Sequence, residues 1–153
     1  MKRFKFTLDK VLEVRRIKEK EKQRHLAEAL RILENETKKF EQLNKQKENS
    51  WLILETLIKT NVDPAIITMA YKGLDGQQTL TQLQDEKVTE AENKFNLKRQ
   101  ELIDIQRKKK ILEKLREKQY KDFLNEMEKV EQKFIDEIAV IKTGRKFINK
   151  DLW

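Results

Sequence analysis

The sequence predicts an all-α protein in which two long helices form an antiparallel coiled-coil hairpin with a short helical tip. Glu, Lys, Leu, Gln and Arg dominate the 153 residues, which include only three Gly and one Pro, and these five residue types favour helices. Apolar residues recur in steps of three, four or seven, which is the spacing of one helix face. The single Pro and two of the three Gly fall between Asn61 and Gln78, where we expect the chain to reverse.

The first helix is expected at about residues 8–60. Thr7 or Asp9 supplies a side-chain oxygen that caps the free N–H groups of its first turn. Seam residues at strict seven-residue steps then keep one face towards a partner helix. They are Leu26, Leu33, Phe40, Lys47 and Leu54. A polar residue such as Lys47 within a seam more often sets the register or the oligomeric state than it performs chemistry.

The tip is expected at residues 61–78, as a helix of about two turns between two breaks. Asp63 and Pro64 form a helix-start signal, because Asp caps free N–H groups and Pro fits the first helical position. Gly73 is a stop signal, because Gly tolerates the left-handed conformation that ends many helices. The second helix then follows at about residues 79–143 and ends near Gly144. Residues 144–153 form a short basic tail.

Facing residues of an antiparallel hairpin have position numbers with a near-constant sum, and this sum predicts the register. Leu54 and Leu83 sum to 137, and Leu33 and Ile105 sum to 138. Apolar residues of the two helices match along their length at these sums. We therefore expect Leu33 to lie near Ile105 and Leu54 to lie near Leu83.

The net charge of +8 is concentrated in two segments. Residues 15–24 contain six basic and two acidic residues, and residues 107–121 contain eight basic and two acidic residues. The predicted register places both segments at one level, where they form a basic belt. This belt is either a solvated face stabilised by ion pairs within each helix or a docking surface for an acidic partner.

No catalytic residue, metal site or cofactor is expected. With one His and no Cys, the chain offers no nucleophile–base pair and no thiolate metal site, and it has no glycine-rich phosphate loop. The absence of Cys suits a reducing, cytosolic setting. The first residues lack the apolar run of a signal peptide, and no segment approaches the ~20 apolar residues that span a membrane.

Both ends of the chain resemble the FliJ family of flagellar export proteins. The residues that carry this resemblance at the start are Phe4-Lys-Phe-Thr-Leu-Asp-Lys-Val-Leu12, Arg15, Arg16 and Leu26-Ala-Glu-Ala29. Those in the second helix are Lys110, Leu112-Glu-Lys-Leu115, Tyr120, Glu131 and Asp136-Glu137. The resemblance implies a cytoplasmic, non-enzymatic helical hairpin similar to the stalk subunit of rotary ATPases, associated peripherally with the export apparatus at the inner membrane.

The resemblance also implies the partners of the chain. Family members dock in the central opening of a hexameric export ATPase, promote its activity, contact the cytoplasmic domain of the export gate and bind export chaperones. From the basic belt, the residues expected to contact the ATPase ring are Arg15, Arg16, Lys20, Arg24, Lys109, Lys110, Lys114 and Arg116. Those expected to contact the export gate are Gln42, Gln46, Asn49, Trp51, Ile53, Leu80, Leu83 and Lys87.

Three alternatives stay open at this point. Stalk proteins of virulence type III secretion systems share the same shape. The basic belt also fits a coiled coil that binds nucleic acid, although no aromatic residues alternate with its basic residues, and nucleic acid is not expected as a partner. A structural homodimer is the third alternative, but a chain that reverses at its tip satisfies its own seam, and a monomer without membrane insertion is therefore expected.

Overall fold

The fold is a hairpin of two long helices packed against each other, as predicted. The computed structural model describes residues 3–148, with side chains to Thr143. Helix α1 runs over Asp9–Lys59 and helix α2 over Pro64–Ile148, with no strand among the described residues. The chain divides into two compact units: a turn unit, Ile17–Gln106, and a terminal unit, Met1–Arg16 with Arg107–Trp153.

The reversal is a short turn in place of the predicted separate tip helix. Asn61 has a φ of 54°, in the left-handed region that Asn tolerates better than most residues. Asp63 caps α2, because its Oδ1 accepts a hydrogen bond from the Ala65 N–H at 3.0 Å, and Pro64 occupies the first helical position. The start signal was therefore read correctly, but it begins the main second helix.

Helix α2 continues through Gly73 and Gly76 without a break, so the predicted stop signal is wrong. Neither Gly has a positive φ. A Gly inside a helix costs about 1 kcal/mol relative to Ala, and apolar burial on the same segment opposes this cost. Leu74, beside the first Gly, is buried at 7% exposure.

Contacts within the turn unit show that the predicted register is wrong. Gln84 donates a hydrogen bond to the backbone oxygen of Glu36 at 3.0 Å, and Lys22 Nζ lies 2.7 Å from Glu101 Oε2. The position numbers of these pairs sum to 120 and 123. The expected sums of 137 and 138 assumed that residues 61–78 lay outside the paired helices, whereas the observed turn is much shorter.

The α1 seam itself is where the seven-residue steps predicted it. Leu54 is fully buried at 0% exposure, and Leu26, Leu33, Phe40 and Lys47 are half-buried. The face of α1 that packs in the turn unit was therefore predicted correctly, and the error lies in the α2 residues assigned opposite it.

In the terminal unit, the residues before α1 pack onto α2. Phe6 and Leu12 are buried at 3% and 1% exposure. The ring of Phe4 lies edge-on to Tyr120, with 5.2 Å between centroids, and 5.7 Å from Phe123. The chain therefore makes specific contacts before its first helix begins, which the expected start at residue 8 did not include.

Beyond these contacts, the later part of α2 is exposed on all sides. Every residue from Glu128 to Thr143 is exposed. The helix continues past Gly144 to Ile148, so the predicted end at Gly144 is wrong, and the last five residues of the predicted tail lie outside the described residues. Within residues 3–148, neither helix has a stretch that is long and apolar enough to cross a membrane.

Candidate docking surfaces

The described residues present charged and apolar surfaces to solvent. They contain no cluster of three His, Cys, Asp or Glu residues arranged to hold a metal ion. Charged and apolar faces of the two helices are therefore the candidate sites for other macromolecules.

The predicted ATPase-ring residues of the terminal unit differ in how accessible they are. Arg16 Nη2 lies 3.7 Å from Glu113 Oε1, and Arg116 Nε lies 3.7 Å from Asp9 Oδ1. These two arginines therefore connect α1 to α2 within the unit. Arg15 and Lys109 are half-buried, whereas Lys110 and Lys114 are exposed.

A row of exposed basic residues runs along α2 in the terminal unit. We call this row the basic stripe, and its members are Arg107, Lys110, Lys114, Lys118 and Lys121. Steps of three and four residues place all five on one helix face, and this face is turned away from the side of α2 that carries the half-buried Leu112 and Phe123. Glu117 lies at its edge and pairs with Lys121 at 3.0 Å.

Three members of the basic stripe were not among the predicted ring contacts: Arg107, Lys118 and Lys121. Their three- and four-residue spacing from Lys110 and Lys114 was the signal that could have identified them. In the turn unit, the two remaining predicted ring contacts, Lys20 and Arg24, are exposed on α1.

The predicted gate residues of α1 lie on two different faces of that helix. Gln42, Gln46, Asn49 and Ile53 are exposed and follow one another in steps of four, three and four, so they share one face. Trp51 precedes Ile53 by two residues, which places it on nearly the opposite side of the helix. The α1 gate candidates therefore form two surfaces.

Trp51 lies in an apolar groove close to the turn. The groove has a volume of about 590 Å³, and its lining residues are Glu48, Trp51, Leu52, Leu54, Glu55 and Ile58. Trp51 is 52% exposed, Leu52 62% and Ile58 50%. An indole and two aliphatic side chains exposed in one groove are typical of a contact site for an apolar partner surface.

The predicted gate residues of α2 are exposed but do not face the predicted α1 segment. Leu80, Leu83 and Lys87 share one face of α2 at steps of three and four. The hydrogen bond between Gln84 and Glu36 sets this stretch level with the middle of α1. The expectation that Leu54 lies near Leu83 is therefore wrong, for the same reason as the register.

The sequence of the chain matches a known family over nearly its full length. A family model described as Flagellar FliJ protein matches residues 4–147. The chain belongs to the FliJ family. No curated protein and no solved structure matches it at the level searched. Membership makes this chain a coiled-coil protein related to flagellar type III export, in a family of non-enzymatic proteins.

Polar contacts cross the helix interface of this FliJ-family chain in the turn unit. Lys22 reaches Glu101 at 2.7 Å, and both side chains are about 30% exposed. The hydrogen bonds from Lys22 and then from Lys98 lower the pKa of Glu101 below its ordinary value of 4.5. The pKa of Glu36 is also lowered, first by the hydrogen bond from Lys39 and then by that from Gln84.

Gln84 is only 6% exposed, so its hydrogen bonds to Glu36 are shielded from water. A buried amide without partners is costly. Sliding one helix along the other would leave this amide without its present partners. We therefore interpret the polar contacts as the groups that select one register in this unit.

Proposed function

We propose that this FliJ-family chain is the stalk protein of a flagellar type III export ATPase. It docks in the central opening of the hexameric ring and promotes ATP hydrolysis, and it also binds the cytoplasmic domain of the export gate and export chaperones. It acts in the cytoplasm, at the export apparatus on the inner membrane, and a single copy docks in each ring. The observation that carries the proposal is the basic stripe.

The chemistry of the basic stripe suits docking in a ring whose subunits change state. Among the described side chains, Lys110, Lys114 and Lys118 make no ion pair with the protein, so their charges are available to a partner. Each exposed ion pair contributes at most about 1 kcal/mol, and charge attraction acts without one fixed geometry. Several weak contacts of this kind allow a stalk to stay bound while the neighbouring subunits rearrange.

Reversing the charge of three lysines tests the ring contact. The variant Lys110→Glu, Lys114→Glu, Lys118→Glu should keep its helicity and lose most of its stimulation of ATP hydrolysis by the cognate export ATPase. The matched control reverses three exposed lysines of the turn unit, Lys38, Lys45 and Lys72, and makes the same change in net charge. The ring-contact proposal is wrong if both variants stimulate the ATPase as well as the parent.

Salt gives a second measurement of the same contact. The Debye length falls from about 10 Å at 0.1 M salt to about 3 Å at 1 M, so binding of the parent to the ring should weaken as salt rises. The stripe variant should show a much shallower salt dependence, because it has lost the charges that are screened. An equal salt dependence for parent and stripe variant would locate the electrostatic contact elsewhere.

The groove at Trp51 is the export-gate contact in this proposal. It is apolar at its centre and acidic at its edges, where Glu48 and Glu55 lie, and buried aromatic anchors often dominate protein interfaces. Trp51→Ala with Ile58→Ala should abolish binding to the gate domain and leave ATPase stimulation unchanged. The control is Gln46→Ala with Asn49→Ala, on the other α1 face. If only this control pair impairs gate binding, the contact lies on the face of Gln42, Gln46, Asn49 and Ile53.

Nucleic acid is the second candidate partner, because a row of five basic residues also suits a polyanion. The nearby rings do not favour it: Tyr120 and Phe123 pack against Phe4, and the five basic residues of the basic stripe do not alternate with aromatic residues. Measuring binding to the export ATPase and to duplex DNA at physiological salt separates the two candidates. Membership of the FliJ family favours a flagellar system over a virulence system, and pairing the chain with ATPases of both kinds tests that choice.

A further inference from the structure

A row of apolar residues on the last described part of α2 is half-buried at its first member and exposed at the others. We call it the C-terminal stripe, and its members are Met127, Val130, Phe134, Ile138 and Ile141. Val130 is 61% exposed, Phe134 63% and Ile141 56%. A contiguous exposed row of large apolar residues is typical of an interaction surface.

The C-terminal stripe continues the helix interface of the terminal unit. Phe4 packs against Phe123 on α2, and the next stripe residue, Met127, follows Phe123 by four positions and is half-buried. The same three- and four-residue spacing then runs on to Ile141. The α2 face that packs against Phe4 is therefore the same face that is exposed after Met127. We expect a partner that covers the exposed part to be a helix.

The spacing of the C-terminal stripe is symmetric. Its steps are three, four, four and three residues, so it reads the same in both directions from Phe134. Two copies placed antiparallel, with facing position numbers that sum to 268, bring Met127 level with Ile141 and Val130 level with Ile138. Phe134 then meets its own equivalent at the two-fold axis. A surface that complements itself in this way is what an isologous dimer requires.

Charges beside the C-terminal stripe fit the same arrangement. Lys133 and Glu137 lie four residues apart, along one edge of the stripe, and both are exposed. In the antiparallel pairing, like edges meet, and Lys133 comes within two positions of Glu137 of the partner subunit. Two positions are about 3 Å along a helix, within the reach of these side chains. The two-fold symmetry produces this contact twice.

We propose that the C-terminal stripe binds the same stripe of a second copy of this chain, in an antiparallel isologous dimer. This inference goes beyond the proposed stalk function, in which a single copy docks in the ring. The paired stretch from Met127 to Ile141 is about 21 Å long, and Phe4 prevents it from extending past Phe123. So short an interface forms a weak and reversible dimer.

Sedimentation equilibrium of the full-length chain tests for self-association. The weight-average mass should rise from 18.5 kDa towards twice that value as concentration increases. Phe134→Glu should remove this rise, because it places two carboxylates at the two-fold axis. Val140→Glu is the matched control, since Val140 is 70% exposed and lies a third of a turn away from Phe134 on the helix. A parent mass that stays at one chain up to the solubility limit overturns the proposal.

Charge exchange tests the arrangement independently of Phe134. Glu137→Lys should weaken association by leaving four lysines at the interface edge, and adding Lys133→Glu to that variant should restore it to the level of the parent. If the double exchange associates no better than Glu137→Lys alone, the proposed contact between the two edges is wrong.

Single-cysteine variants test the direction of pairing, since the natural chain contains no Cys. A mixture of Val130→Cys and Ile138→Cys proteins, treated with a short thiol-to-thiol crosslinker, should form a dimer joined between the two positions. Each protein alone should crosslink no more than Val140→Cys. A parallel dimer would instead crosslink Val130→Cys to itself, and that result overturns the antiparallel pairing.

Discussion

Replacing Ala29 and Ala91 with Cys tests the observed register of the turn unit. The two residues line one groove, and Ala91 is buried at 5% exposure. Their position numbers sum to 120, the same as those of the Glu36–Gln84 pair. Ala to Cys adds one sulfur atom, so the helices should tolerate both substitutions. We expect an intramolecular disulfide to form on oxidation.

The structure sets the size of the effect and its control. The disulfide links residues 62 positions apart, and the loop-closure model gives a stabilisation of about 4 kcal/mol for such a loop. In the observed register, Leu33 faces α2 about 17 residues before Ile105, which is roughly 25 Å along the helix. A disulfide requires Cα atoms within about 7 Å, so Leu33→Cys with Ile105→Cys should not form one.

Urea unfolding of oxidised and reduced protein, with free-thiol titration, measures both pairs. The Ala29–Ala91 variant should lose its free thiols within the monomer and unfold at higher urea when oxidised. The Leu33–Ile105 variant should keep its thiols or form only crosslinks between molecules. The reverse result, with an intramolecular disulfide at Leu33–Ile105 alone, would refute the register and the account of the turn behind it.

Three further predictions concern stability. Acidification should destabilise the protein as pH falls from about 4.5 to below the lowered pKa of Glu101, because protonation removes the charge that Lys22 pairs with. Glu101→Gln should flatten this part of a stability–pH curve. An unchanged curve would contradict the role of the ion pair. Leu54→Ala should lower the free energy of unfolding in urea by about 2–5 kcal/mol, because Leu54 is fully buried. Phe95→Ala should lower it less, because Phe95 is half-buried. Equal losses would contradict this difference in burial. Gly73→Ala with Gly76→Ala should raise the melting temperature, because a Cβ at either position meets nothing within 4 Å and each change adds about 1 kcal/mol inside a helix. Destabilisation would contradict a continuous α2 helix at these positions.

The fold and the seam of α1 were predictable because they depend on local spacing. An apolar residue every three or four positions buries one face of a helix wherever its partner lies. The seven-residue steps from Leu26 to Leu54 therefore identified buried and half-buried positions before the partner helix was known.

The register could not be predicted from the same spacing. A seam that repeats every seven residues matches its partner equally well after a shift of two repeats, which is 14 residues. The predicted sums of 137 and 138 exceed the observed sums of 120 and 123 by 14 to 18 residues, which is close to two repeats. What distinguishes the two registers is the length of the turn, and hence the conformation of Gly73, where α2 could either stop or continue.

The candidate site was predicted in its chemistry more than in its geometry. Lys110 and Lys114 are exposed on α2, whereas Lys109 is half-buried, and Arg16 and Arg116 lie near carboxylates of the opposite helix. The sequence does not reveal such pairing, because Asp9 and Arg116 are more than one hundred residues apart. The incorrect register placed the gate candidates of α1 and α2 beside each other. In the observed register they lie at different levels along the turn unit.

The unequal lengths of the helices give α2 two different local stabilities. Up to Phe123 its backbone hydrogen bonds are supported by side chains packed from the opposite part of the chain, whereas the exposed residues after Met127 depend on intrinsic helix propensity, which is marginal in water. Amide hydrogen exchange should therefore be slow in the first part and approach the rate of an isolated peptide towards Thr143, within one unbroken helix. Such a helix keeps its backbone conformation where side chains pack on it, and its end portion should exchange between helix and coil until a partner covers it.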